Sequence, residues 1–123
     1  MKDIVERFLD YVSFETTSYE PIEGQASSVG QYVLAKHLKE ELEKLDVKNL
    51  YINEFGTVVG YVPGTKEGPT IALIAHMDTS NSASGKDVKA RVLKYEGGDI
   101  ELSTGIKLSP NEFSTLKGKE GHE

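Results

Sequence analysis

The chain has 123 residues, a hydrophobic share of 37%, a charged share of 28% and a formal net charge of −6. That length suits one domain with a modest core. The acidic balance offers no basic stripe to a nucleic-acid backbone, and the absence of cysteine excludes disulfides and thiolate metal sites.

Ile4, Val5, Phe8, Leu9 and Val12 recur at helical spacing and predict an opening amphipathic helix. The charged start, Met1-Lys2-Asp3-Ile4-Val5-Glu6-Arg7, does not read as a signal peptide. The longest apolar run is too short to cross a bilayer, so the expected location is the cytoplasm. Residues 16–27 are rich in turn formers and read as a loop. A second helix is predicted from Ser28, with Gln31 three positions on completing a capping box. Its buried face is expected at Tyr32, Ala35, Leu38, Leu42 and Leu45, and its wet face at Lys36, Lys39, Glu40 and Glu43.

Leu50-Tyr51-Ile52 and Thr57-Val58-Val59-Gly60-Tyr61-Val62 read as strands joined through Asn53-Glu54-Phe55-Gly56 in a hairpin. A turn-rich loop, Pro63-Gly64-Thr65-Lys66-Glu67-Gly68-Pro69, leads to Ile71-Ala72-Leu73-Ile74-Ala75-His76. Near-continuous apolar sequence marks a strand buried on both faces, as in a parallel sheet. Beyond it, residues 79–87 are small and polar. A second hairpin is predicted from Ala90-Arg91-Val92-Leu93-Lys94-Tyr95, the turn Gly97-Gly98-Asp99 and Ile100-Glu101-Leu102. Ser109-Pro110-Asn111-Glu112 has the form of a helix start, and the last seven residues are polar and unpatterned. No repeat and no internal domain boundary is visible. The expected fold class is α/β: two helices, a hairpin, a core strand and a second hairpin. One long apolar strand is too few for a parallel sheet, so the sheet is expected to be incomplete.

Chemistry is expected where the core strand ends. Ligands in open α/β sheets bind beyond the carboxyl ends of the strands, and His76 and Asp78 stand there. Residues two apart on a strand point to one side, so both side chains can enter one crevice. Histidine is the commonest metal ligand, and a nearby carboxylate fixes its tautomer. The other candidates have plainer readings. His37 is a surface or partly covered helix histidine, and His122 belongs to a solvated tail. Glu40, Glu41 and Glu43 form a wet helix face. Asp87 and Asp99 are turn residues, and Gly97-Gly98 lacks the fingerprint of a phosphate loop. A catalytic zinc needs about three protein ligands; the chain offers one convincing candidate, His76, so the site reads as incomplete.

Several stretches together carry a resemblance. Glu6-Arg7-Phe8-Leu9-Asp10-Tyr11-Val12-Ser13, Ala75-His76-Met77-Asp78-Thr79-Ser80, Ser84-Gly85-Lys86-Asp87-Val88, Tyr95-Glu96-Gly97-Gly98-Asp99-Ile100 and Leu108-Ser109-Pro110 follow one another in a familiar order. They resemble the N-terminal part of peptidase T-type tripeptide aminopeptidases, in the M20 family of metallopeptidases. The resemblance implies a zinc-exopeptidase-like α/β catalytic domain of which residues 1–123 are the opening part, without the smaller inserted domain. It implies two zinc ions, His76 as a zinc ligand, Asp78 as the active-site residue supporting it, and short peptides as substrates. A general-base glutamate is implied farther along, and the bridging aspartate, the paired glutamates, a further carboxylate and a last histidine are expected past Glu123. The chain alone is therefore expected to be inactive. Two alternatives stay open: another M20 hydrolase, such as a carboxypeptidase or amidohydrolase, and a non-catalytic module that self-associates through exposed strand edges.

Overall fold

The computed structural model describes residues 3–19, 26–103 and 105–123. It divides the chain into two compact units, Met1–Ala90 and Arg91–Glu123, a boundary that sequence patterning does not reveal. The architecture is α/β, with two α-helices and two two-stranded antiparallel sheets.

The first unit opens with α1 (Ile4–Tyr11). A reciprocal capping box starts it: the Glu6 amide donates to Asp3 Oδ1 at 2.8 Å, and the Asp3 amide to Glu6 Oε2 at 3.0 Å. The expected apolar stripe forms, but Ile4, Val5 and Phe8 are exposed. Helix α2 (Val29–Lys44) begins, as expected, after Ser28. Its predicted capping box does not form, because the Gln31 amide group turns away to donate to the Thr16 carbonyl at 3.2 Å and Ser27 Oγ at 2.9 Å. Of the expected buried face, Ala35 is fully enclosed, and Tyr32, Leu38 and Leu42 are half-buried. Leu45 is exposed, and Leu34 takes a core position instead.

Helix α2 packs on the predicted hairpin, β1 (Lys48–Ile52) against β2 (Val58–Tyr61). Asn53 builds the turn. Its side-chain oxygen accepts from the amides of Phe55 at 3.1 Å and Thr57 at 2.8 Å, an Asx turn closed by Gly56 at φ 81°. The ladder slips between Lys48 and Tyr51, where Asn49 takes φ 50°, a left-handed conformation that asparagine tolerates.

The predicted core strand is the largest correction. Residues 71–76 join no ladder, and Ile71, Leu73 and Ile74 are 80%, 95% and 95% exposed. An open groove separates the run from β2. A second groove of about 390 Å³ beside α2 is lined by Leu38, Leu42, Leu45, Leu73 and Met77. A strand is stable only when neighbouring backbones take up its amide and carbonyl groups. No described residue supplies such a neighbour to this run. The parallel pairing that does form is a single bridge, Thr17 to Thr79.

The second unit, taken by itself, is built on β3 (Ile100–Ser103) and β4 (Ile106–Leu108). The hairpin partner of Ile100-Glu101-Leu102 is thus Ile106–Leu108, and residues 90–95 form no strand. Tyr95 is buried there. Its amide donates to the His122 carbonyl at 2.8 Å, its carbonyl accepts from the Gly121 amide at 2.7 Å, and its hydroxyl donates to the Gly98 carbonyl at 2.9 Å. Those tertiary bonds take up backbone groups that a ladder would have used. Gly97 and Gly98, at φ 97° and 75°, make the expected turn. The helix predicted from Ser109 is one turn, closed by the Phe113 amide on the Ser109 carbonyl at 2.8 Å, followed by the short 3₁₀ helix η1 (Ser114–Leu116).

Candidate active site

His76 and Asp78 come together as their spacing predicts. His76 Nδ1 lies 2.9 Å from the Asp78 carbonyl oxygen and 3.1 Å from Asp78 Oδ1. Both partners are acceptors, so the neutral ring carries its proton on Nδ1 and its lone pair on Nε2. The His76 side chain is 85% exposed and that of Asp78 45%. Nε2 has no hydrogen-bond partner among the described residues. This is the arrangement in which a carboxylate orients a metal-binding histidine.

The other oxygen of Asp78 is occupied too. Ser18 Oγ donates to Asp78 Oδ2 at 2.6 Å, within the range of a hydroxyl bonded to an ionised carboxylate. The Ser18 hydrogen bond is the main reason the Asp78 carboxyl is held below the ordinary aspartate range; partial burial opposes it, and the His76 ring adds to the lowering. Ser18 reaches this place through the backbone. The Ser18 amide donates to the Thr79 carbonyl at 2.9 Å and the Thr79 amide to the Thr16 carbonyl at 3.1 Å, around the Thr17–Thr79 bridge. Thr16 and Thr17 are buried. Gly85 closes the far side: a Cβ there would stand 2.7 Å from Thr17 Oγ1 and 3.3 Å from Thr79 Oγ1. Sequence reasoning places Ser18 in a polar loop and assigns it no role, since nothing local ties it to Asp78.

Asp87, at φ 53°, is a turn residue, and His122 is exposed. His37 is partly covered, as read, and both it and Glu41, read as part of a wet face, meet Asp10 of α1. The three offer donor atoms within 4.8 Å of one another, the single such cluster among the described residues, and it excludes His76. His37 Nε2 lies 2.8 Å from Asp10 Oδ2, and the Tyr11 hydroxyl donates to Glu41. With Arg7 also close enough to act on Tyr11, the cluster is a network tying α1 to α2. The i, i+4 spacing of His37 and Glu41 was the available signal; the contribution of Asp10 had none.

For a metal, the fit is therefore specific but partial. His76 has the tautomer, exposure and carboxylate partner of a ligand, and it is one donor where a catalytic zinc takes about three. Among the described residues, no helix is long and apolar enough to cross a membrane.

No family model matches the chain. Curated proteins do match it along nearly its whole length. It is 45% identical over 126 residues to "Peptidase T" of Photobacterium profundum, covering 99% of this chain and 31% of that protein. It is 42% identical to "Peptidase T" of Halothermothrix orenii and 42% identical to that of Caldanaerobacter subterraneus subsp. tengcongensis, in each case over 98% of this chain and 31% of the relative. The chain thus spans about 31% of the length of the curated relatives it matches. On identities of 42–45% over 98–99% of its residues and 31% of each relative's length, the chain belongs to the peptidase T family as a partial-length member.

Proposed function

We propose that this chain is the opening part of the catalytic domain of an M20-type zinc aminopeptidase that removes the N-terminal residue of tripeptides in the cytoplasm. The domain would be zinc-exopeptidase-like, with two zinc ions in the complete site. The observation that carries the proposal is the geometry of His76, whose Nδ1 is engaged by Asp78 while Nε2 has no partner among the described residues. In this reading His76 would hold one zinc through Nε2, and Asp78 would fix the ring. A zinc ion bound there would supply Lewis-acid polarisation of a peptide carbonyl and a lowered pKa of its bound water. The described residues contribute one zinc donor and its orientation: a ring of defined tautomer, a carboxylate behind it, and a backbone bridge beside both. The other ligands and the general base belong to the rest of the domain, so the 123 residues by themselves are expected to be inactive. The partner is a short peptide; neither a nucleic acid nor a membrane is implied. The names of the relatives favour a peptidase over another M20 hydrolase or a stand-alone module.

The test is a chimera in which this chain replaces the matching segment of the Photobacterium profundum peptidase T. It should hydrolyse tripeptides in the presence of zinc. His76→Ala should lower kcat/KM on the order of 100-fold or more, and Asp78→Asn by about 10–100-fold. A well-folded chimera indifferent to His76→Ala would overturn the assignment. Tripeptide turnover by the isolated chain, abolished by His76→Ala, would overturn the expected inactivity.

A further inference from the structure

We propose that Ser18 is a positioning residue for this site, holding the Asp78 carboxylate in the orientation that keeps the His76 proton on Nδ1. The inference rests on the functional reading above for the roles of His76 and Asp78. Its own basis is the division of labour between the two carboxylate oxygens: Oδ2 accepts from Ser18, and Oδ1 faces His76 Nδ1, adding to the contact of that nitrogen with the Asp78 main-chain carbonyl. A carboxylate is planar, so a bond that fixes one oxygen also aims the other. The need for that bond is physical. Asp78 is 45% exposed, and an exposed aspartate turns among rotamers unless a partner selects one.

Ser18 is suited to the task because its own backbone is held on both sides. Its amide is bonded to Thr79, the residue after Asp78, while buried Thr16 receives both the Thr79 amide and the Gln31 side chain. The hydroxyl is therefore presented from the same two-segment bridge that carries Asp78. Movement of one segment against the other is resisted by those backbone bonds, and the 2.6 Å side-chain bond spans the same gap. The chain of contacts runs from Ser18 through Asp78 to His76, across a sequence separation of 60 residues for its first link.

The experiment is nitrogen-15 NMR of the full 123-residue chain labelled at histidine, with His76→Gln to identify the His76 signals. Long-range proton–nitrogen couplings report which ring nitrogen carries the proton. Neither zinc nor peptide is added. The wild type should show His76 protonated on Nδ1 near neutral pH. In Ser18→Ala the ratio of the Nδ1–H to the Nε2–H form should fall about fivefold, a shift smaller than the full worth of a hydrogen bond to a charged group. Ser18→Thr, which keeps the hydroxyl, should restore it. If alanine loosens the segment, the Ser18 and Thr79 amides exchange quickly, and the comparison passes to Ser18→Thr against Ser18→Val, which have nearly equal shape. An unchanged tautomer in Ser18→Ala, equal tautomers in the Thr and Val variants, or a wild type protonated on Nε2 would each overturn the proposal. Failure of the chimera with this result intact would remove the functional reading and leave the positioning role standing. The reverse pair of outcomes would remove the positioning role alone.

Discussion

His37 Nε2 and Asp10 Oδ2 meet at 2.8 Å across a sequence separation of 27 residues and join α2 to α1. Around this pair the His37 ring packs edge-on to Tyr11 at 6.1 Å and tilted against Phe14 at 5.2 Å. Both partners are half-buried, and this hydrogen bond contributes about 0.5–1 kcal/mol. The ring contacts add a comparable amount. His37→Ala should therefore lower unfolding free energy by about 1–2 kcal/mol in urea titration. Asp10→Asn should cost less, because the ring contacts survive it.

A second prediction concerns Tyr11. Burial, reinforced by its hydrogen bond to Glu41, pushes the Tyr11 phenol up to about 12 from an ordinary value of 10.0. The folded state holds this proton more tightly than the unfolded state does. The associated stability is fully present below pH 10 and is lost as pH rises toward about 12. The urea midpoint should fall across that window in the wild type. In Tyr11→Phe that part of the decline should be missing, with the remaining tyrosines and lysines setting what is left.

Gly30 marks a close approach of backbone to backbone. A Cβ there would lie 1.6 Å from the Glu15 carbonyl oxygen, a separation that no side-chain adjustment can relieve. Gly30→Ala should displace the segment of Glu15 and Thr16 from the first turn of α2. The expected loss is about 1–3 kcal/mol or more, even though alanine is the better helix former. The displacement should reach the site, because Thr16 anchors the Thr79 amide. Hydrogen exchange at Thr79 is the direct readout and should accelerate.

The uncovered run at residues 71–75 leads to a prediction about association. Leu73 and Ile74 are each 95% exposed, beside backbone groups that no ladder among the described residues uses. Apolar surface next to unpaired strand backbone invites pairing with a second chain. Sedimentation velocity should show self-association that grows with concentration. Ile74→Lys should reduce it severalfold while leaving the circular dichroism of α1 and α2 unchanged. A monomer at all concentrations would rule this out.

Local chemistry determined a good part of the molecule. Helices α1 and α2 follow from apolar spacing, and the first hairpin from the turn residues Asn53 and Gly56, because these signals act within a few residues. The meeting of His76 and Asp78 was legible for the same reason, since two positions along an extended chain share a side. The resemblance to the peptidase T family was carried by short motifs of the same kind.

Tertiary structure alone decided the rest. An apolar run becomes a buried strand only when neighbours take up its backbone groups, and residues 71–76 have none among the described residues. Tyr95 escapes its predicted strand because Gly121 and His122 return to claim its backbone. Gln31, spaced correctly for a capping box, is drawn off by Thr16 and Ser27. Ser18 joins the site from 60 residues away. In each case the partner that decides the outcome is fixed by the folded chain, and no periodicity or local propensity encodes such a meeting.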